Sequence, residues 1–304
     1  LVYHAGQLVL EHYYPGHGPA SRTPTQSMHK SVLALLFGAA LRDGYLRSVD
    51  EPAATYLTEW AGDARARITI RQLLQQASGI DYPATNYLNP AGTFLQVMMG
   101  DELAATVLAQ PAEAPPGERF DYNNVNVALL GILLERATRT PYADYLERAL
   151  WRPLGADDAL VTVDSRAHGT PRTYCCLDAT ARSWLRLGVL ILDGGRVAGR
   201  QVIPAEWLRE VTTPSRAQAN YGYLTWLGRE YQQQRRYNHK SAVTAYASAP
   251  FAAPDVIYFD GFGGQRVYVI PSRQLVIVRT GGLALDWDDA RLPNLLIGGL
   301  GDSR

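Results

Sequence analysis

Two-residue alternation marks both ends of this chain, and apolar residues at helical spacing fill the middle; no other feature limits the fold as strongly. At the front, LVYH, a turn at Ala5-Gly6 and QLVLEHY read as a hairpin over 1–13. At the back, 221–227 (YGYLTWL) is aromatic and β-prone, 228–254 is a long polar loop, and 256–260 is a short strand. The stretches 264–270 and 274–280 then form a hairpin across Pro271-Ser272-Arg273. Between the ends, helices are expected over 26–43, 68–76, 125–138, 142–150, 180–192 and 204–211, with one more over 289–300. The segment 50–60 reads as a connection and 82–100 as irregular. The expected class is α+β: one antiparallel sheet built from both chain ends and flanked by helices, with a helical domain inserted. We place the sheet domain at 1–66 and 215–304 and the mostly helical domain at 67–214, with an active site between them.

A chain of 304 residues, 47% hydrophobic and with formal net charge zero, can bury a large core. The neutral balance and the lack of a long basic run argue against nucleic acid as a partner. The longest apolar runs are too short to span a membrane. The sequence is strand-like from Leu1, so no signal peptide is expected within it, and cytoplasm and periplasm both stay open, as does oligomeric state. The two cysteines, Cys175 and Cys176, are neighbours that cannot easily reach ordinary disulfide geometry with each other, so they are expected to be core thiols. The six histidines show no HExxH or comparable ligand spacing, so neither a metal nor another cofactor is expected.

The stretch 26–43, QSMHKSVLALLFGAALRD, sets Ser27 three residues ahead of Lys30 at the mouth of a nearly all-apolar helix. Positions i and i+3 share a helix face, so hydroxyl and amine would meet. A lysine at such a place is costly unless it has a partner or a task. Of 29 basic residues only Lys30 and Lys240 are lysines, the cation that surroundings can turn into a neutral base. Even so, a serine three residues ahead of one of two lysines arises by chance about one time in ten. A helix cap with a snorkelling lysine is the competing reading.

Two further stretches bear on the choice. Tyr122-Asn123-Asn124 precedes the second buried helix, where Val127, Leu130, Leu133 and Leu134 keep helical spacing. A tyrosine can shuttle a proton when a nearby lysine favours its phenolate, and an amide can hold both a lysine and a substrate carbonyl. Equally, Asn123 or Asn124 can cap the helix while Tyr122 packs. In FDGFGGQ, 259–265, closely spaced glycines let backbone approach a ligand and offer an N–H for an oxyanion hole, or simply make a turn.

Together and in this order, the three stretches resemble the penicillin-recognising serine hydrolases, whose Ser-x-x-Lys is a known catalytic signature. The branch with Tyr-x-Asn as second motif is the most similar. It includes class C β-lactamases, D-alanyl-D-alanine carboxypeptidases, related esterases and 6-aminohexanoate-dimer hydrolases. The resemblance runs through LVYHAGQLVLEHYYPG, LLQQASGI, PPGERFDYNN, WRPLGADDA, RQVIPAEW and GFGGQRVYVIP. It implies a β-lactamase/transpeptidase-like fold, with Ser27 as nucleophile, Lys30 as base, Tyr122 as proton shuttle and Asn124 as orienting amide. It also implies an oxyanion hole formed by the backbone N–H groups of Ser27 and Phe262.

The sequence departs from that pattern at the third motif. Where related enzymes carry Lys-Thr-Gly or His-Thr-Gly, this chain has Phe259-Asp260-Gly261, so the cation for a substrate carboxylate is missing and Asp260 would repel one. Lys240-Ser241-Ala242 and Arg279-Thr280-Gly281 imitate the motif at the wrong places. Tyr82, Asp260 and Gly261 are expected to border the substrate, and 82–100 and 231–254 to flank the cleft. The expected activity is hydrolysis of a small carboxylic ester or linear amide through an acyl-enzyme. A β-lactamase or carboxypeptidase is the alternative, and a non-catalytic sensor or binding protein on the same fold is a third reading.

Overall fold

A computed structural model describes residues 1–82, 89 and 92–300. Six antiparallel strands form the main sheet, in the order Gln7–Leu10, Val2–His4, Leu275–Arg279, Gln265–Ile270, Ile257–Gly261, Trp226–Leu227. The two chain ends therefore pair directly, with Val2 opposite Ile277 and the Leu1 amine donating to the Val278 carbonyl at 2.9 Å. The central strands are buried on both faces, and their side chains divide between two cores with the period of two that a pleated strand dictates. Val267, Val269, Val276 and Val278 point into the larger core, whereas Tyr268, Ile270, Leu275 and Ile277 point into the smaller one, partly covered by the Arg291–Leu300 helix.

The Ala181–Leu192 helix covers the other face, packed on the Gln265–Ile270 and Leu275–Arg279 strands. Gly188 makes that approach close: a Cβ there would lie 2.4 Å from Val276 Cγ1. This helix lies within the stretch 67–214 that sequence reading assigned to the helical domain, and its packing ties that stretch to the sheet.

Behind the sheet runs the His29–Arg42 helix, every residue of which from His29 to Ala40 is buried. The Asn124–Thr138 and Ala205–Val211 helices pack against it. Its Gly38 faces the Trp207 indole, whose Nε1 donates to the Ala34 carbonyl at 2.8 Å. Among the described residues no helix is long and apolar enough to cross a membrane.

Two local expectations need correction. Of 221–227 only Trp226–Leu227 is strand, because Gly222 presses its backbone against the Val211 carbonyl and Leu224 turns to φ +47°, which breaks the extended chain. The loop 228–254 contains a hairpin, Gln234–Arg236 with Thr244–Tyr246. These short polar strands have no hydrophobic alternation by which a sequence could reveal them.

Gly38 supplies a test of the helix packing. A Cβ there would fall 2.2 Å from Trp207 Cδ1. Gly38→Ala gains about 1 kcal/mol of helix propensity but overpacks a rigid indole, at a cost of about 1–3 kcal/mol. We expect a net loss of stability in urea unfolding; a gain would contradict this packing.

Candidate active site

Ser27 sits in one 3₁₀ turn, Gln26–Met28, that leads into the His29–Arg42 helix, so the i, i+3 juxtaposition spans a helix junction. Gln26, just ahead of it, has φ +53°, the left-handed region that costs a side-chain-bearing residue energy. Lys30 Nζ lies 2.8 Å from Ser27 Oγ and donates to the Tyr174 carbonyl at 2.6 Å. Lys30 is only 1% exposed, and among the described residues no carboxylate is in contact with it. Burial drives its pKa well below the ordinary lysine value, and the more distant charge of Asp260 offsets this in part.

The partner backbone comes from 174–177. His29, which burial pushes down to about 4 and so keeps neutral, bonds the Cys175 carbonyl and lies 2.8 Å from the Tyr142 hydroxyl. Thr25 donates to the Leu177 carbonyl at 2.9 Å. Three successive contacts thus fasten the turn that carries Ser27 to one segment. In that segment Cys175 and Cys176 are not the free thiols expected from their adjacency. They form a disulfide, with Cα atoms 3.7 Å apart and Cys176 at φ +69°.

Tyr122 closes the site from the segment ahead of the Asn124–Thr138 helix. Lys30 Nζ stands 4.7 Å from its ring centroid, and Tyr122 and Ser27 line the same cavity. Trp226, Tyr237 and Tyr221 surround the ring. Burial above all, and then the charge of Asp260, raise its pKa above the ordinary tyrosine value, so the side chain is a neutral phenol. Burial thus works against the phenolate that a nearby lysine would favour. Asn123 caps the Asn124–Thr138 helix by accepting from the Val125 N–H at 2.8 Å. Asn124 faces the same cavity as Ser27, and its amide donates to the Tyr82 hydroxyl at 3.3 Å rather than contacting Lys30.

The third wall is the end of the Ile257–Gly261 strand. Gly261 must lack a side chain, since a Cβ would lie 2.2 Å from the Thr25 carbonyl oxygen; the strand thereby reaches the turn that carries Ser27. Phe262, 51% exposed, follows at the cavity edge. Asp260 borders the cavity but is not an open negative charge. Arg235 Nη2 meets it at 2.5 Å, Arg266 Nη1 at 2.7 Å and the Tyr237 hydroxyl at 2.8 Å. Asp289 completes a buried quartet, 2.6 Å from Arg266 and 3.3 Å from Arg235. Burial alone would raise the Asp260 carboxyl, but Arg266 and Arg235 hold it below the usual carboxylate range. The repulsive Asp260 expected from the third-motif departure is thus corrected to a neutralised one.

Sequence reading missed Arg235, Arg266, Asp289 and Tyr237, which are scattered over 235–289 without motif spacing. Lys240 of the false third motif binds Asp81 at 2.6 Å and Glu113 at 2.5 Å, and Arg279 donates to the carbonyls of Gly263 and Gly282.

The cavity encloses about 410 Å³, and Ser27, Tyr82, Tyr122, Asn124, Asp260 and Phe262 all line it. From the expected flanks, Phe94 and Met98 of the Thr93–Met99 helix and Asn238, Ser241 and Val243 also face it. Residues 83–88 and 90–91 of the first flank lie outside the described residues. Among the described residues Glu113, Asp121 and His239 bring metal-ligand atoms within 4.8 Å of one another, but Lys240 and Arg119 already pair with the carboxylates.

A sheet from both chain ends, helices on its faces and a serine-lysine pair at the head of a buried helix define a protein of the β-lactamase/transpeptidase-like fold. The Beta-lactamase family profile matches residues 1–280, and the chain belongs to that family. It is 29% identical over 226 residues to the 6-aminohexanoate-dimer hydrolase of Paenarthrobacter ureafaciens, a match covering 69% of this chain and 56% of that one. The chain thus spans little more than half the length of this relative. Among solved structures, a provisional 6-aminohexanoate-dimer hydrolase from Bacillus anthracis superposes with a TM-score of 0.76 at 21% identity, covering 93% of this chain and 73% of the other. A penicillin-binding protein from Bacillus halodurans gives 0.61 at 17%, with coverage of 88% and 85%. At these identities the two structures speak for the fold.

The strained turn supplies a prediction. A β-branched side chain tolerates left-handed backbone worst and glycine best, so Gln26→Gly is expected to be about 1–2 kcal/mol more stable than Gln26→Val in denaturant unfolding. Equal stabilities would mean that Gln26 does not hold φ +53°.

Proposed function

We propose that this chain is a serine hydrolase that cleaves a carboxylic ester or linear amide through an acyl-enzyme on Ser27. The observation that carries the reading is the 2.8 Å contact between Ser27 Oγ and a buried lysine that touches no carboxylate among the described residues. A neutral amine that donates one N–H to the Tyr174 carbonyl keeps its lone pair for the Ser27 proton. Ser27 Oγ then bonds to the substrate carbonyl carbon while Lys30 takes that proton. The backbone N–H groups of Ser27 and Phe262 receive the oxyanion. As the intermediate collapses, Tyr122 gives its proton to the departing alcohol or amine and regains one from Lys30, a role that suits a neutral phenol. Water, deprotonated through the same groups, attacks the ester on Ser27 and releases the acid. Asn124 and Tyr82 border the bound substrate.

The similarity to a 6-aminohexanoate-dimer hydrolase favours a linear amide or ester over a β-lactam, as does the missing third-motif cation. Ser27→Ala is expected to lower nitrophenyl butyrate turnover by about 10³-fold or more, and Tyr122→Phe by about 10²-fold. A fluorophosphonate should label Ser27. Turnover unchanged in Ser27→Ala would refute the mechanism, no turnover and no labelling of the wild type would favour a binding protein, and nitrocefin hydrolysis faster than that of linear esters would favour a β-lactamase.

A further inference from the structure

The charges around the cavity cancel one another before any substrate arrives. Asp260 is the single acidic or basic side chain among the described residues lining it. Both its oxygens are engaged, Oδ1 by Arg266 and Oδ2 by Arg235 and Tyr237. The two guanidiniums face two carboxylates, Asp260 and Asp289, so the quartet sums to zero. Neither guanidinium lines this cavity. Arg235 and Arg266 are buried, Arg235 stacks 3.7 Å from the Trp226 ring centroid, and its Nη1 is buried without a hydrogen-bond partner among the described residues; Arg235 and Asp289 line a different pocket. Lys240 is spent on Asp81 and Glu113. The rest of the wall is aromatic or aliphatic: Phe94, Met98, Tyr174, Val243 and Phe262, with scattered hydroxyls and amides.

Among the described residues lining the cavity, an entering carboxylate would meet no cation in the wall, and an entering ammonium only the Asp260 carboxylate already held by Arg235 and Arg266. Each would give up water without a partner. From this we infer that the cavity selects substrates whose acyl part is uncharged and apolar, and discriminates against both carboxylate-bearing and ammonium-bearing acyl groups. This rests on the Ser27 hydrolase reading and adds the substrate class. It separates the chain from an enzyme that recognises its acyl group by charge, because specificity is a difference between ligands, and here charged ones lose desolvation energy with no return.

Three nitrophenyl esters of equal chain length provide the test: hexanoate, 6-aminohexanoate and the adipate monoester, with wild-type protein near neutral pH. We expect kcat/KM for the hexanoate to exceed both others by at least about tenfold. A charged ester hydrolysed as fast as the hexanoate, or faster, would overturn the inference. Calorimetry of the three corresponding primary amides binding to Ser27→Ala reads the same preference without chemistry. If wild type turns over none of the esters while that variant still binds hexanamide best, the hydrolase reading fails and the cavity preference stands. If a charged amide binds as well as hexanamide, the preference fails whatever the turnover.

Discussion

One amine kept out of water organises this molecule. Lys30 lies beneath the Gln26–Met28 turn with two hydrogen-bond partners and, among the described residues, no ion pair, where a charged ammonium would be expensive. Three features hold it there: a helix buried on all sides, a glycine strand end that reaches the Thr25 carbonyl, and a backbone segment whose carbonyls meet Thr25, His29 and Lys30 in turn. None of these would be needed to make a sheet flanked by helices. Each makes sense if the fold must hold a neutral lysine against a serine.

The buried quartet of Asp260, Arg235, Asp289 and Arg266 solves the opposite problem. There the charges are kept, and alternating signs with short contacts offset the loss of water. Removing any member would leave an uncompensated buried charge, which is commonly worth several kcal/mol. The site therefore lies between a buried amine on one side and a cancelled cluster on the other.

The sequence revealed most where pattern is local. Alternation in 1–13 and 264–280, caps and glycines around the main helices, and the Ser27, Lys30 and Tyr122 motifs could be read because each signal lies within a few residues. What stayed hidden depends on distant partners. The hairpin in 228–254 is polar, so no hydrophobic period marks it. The charge on Asp260 looked decisive until Arg235 and Arg266 met it, from 25 and 6 residues away in the chain. Adjacent cysteines looked unable to pair because a left-handed φ at Cys176 cannot be read from its neighbours. A nearby lysine would favour a Tyr122 phenolate, whereas burial in the surrounding cage works against it.

The central claim concerns a proton, and this chain offers a clean way to locate it, since Lys30 and Lys240 are its only lysines. Labelling lysine Nζ with ¹⁵N gives two side-chain signals, and Lys240→Arg identifies which is which. Partial burial pulls Lys240 down, but its contacts with Asp81 and Glu113 hold it above the ordinary lysine value. Followed against pH, the Lys30 signal should lose its proton well below the ordinary value near 10.5, while that of Lys240 titrates above it. A Lys30 that stays protonated up to or beyond 10.5 would contradict the neutral-base account.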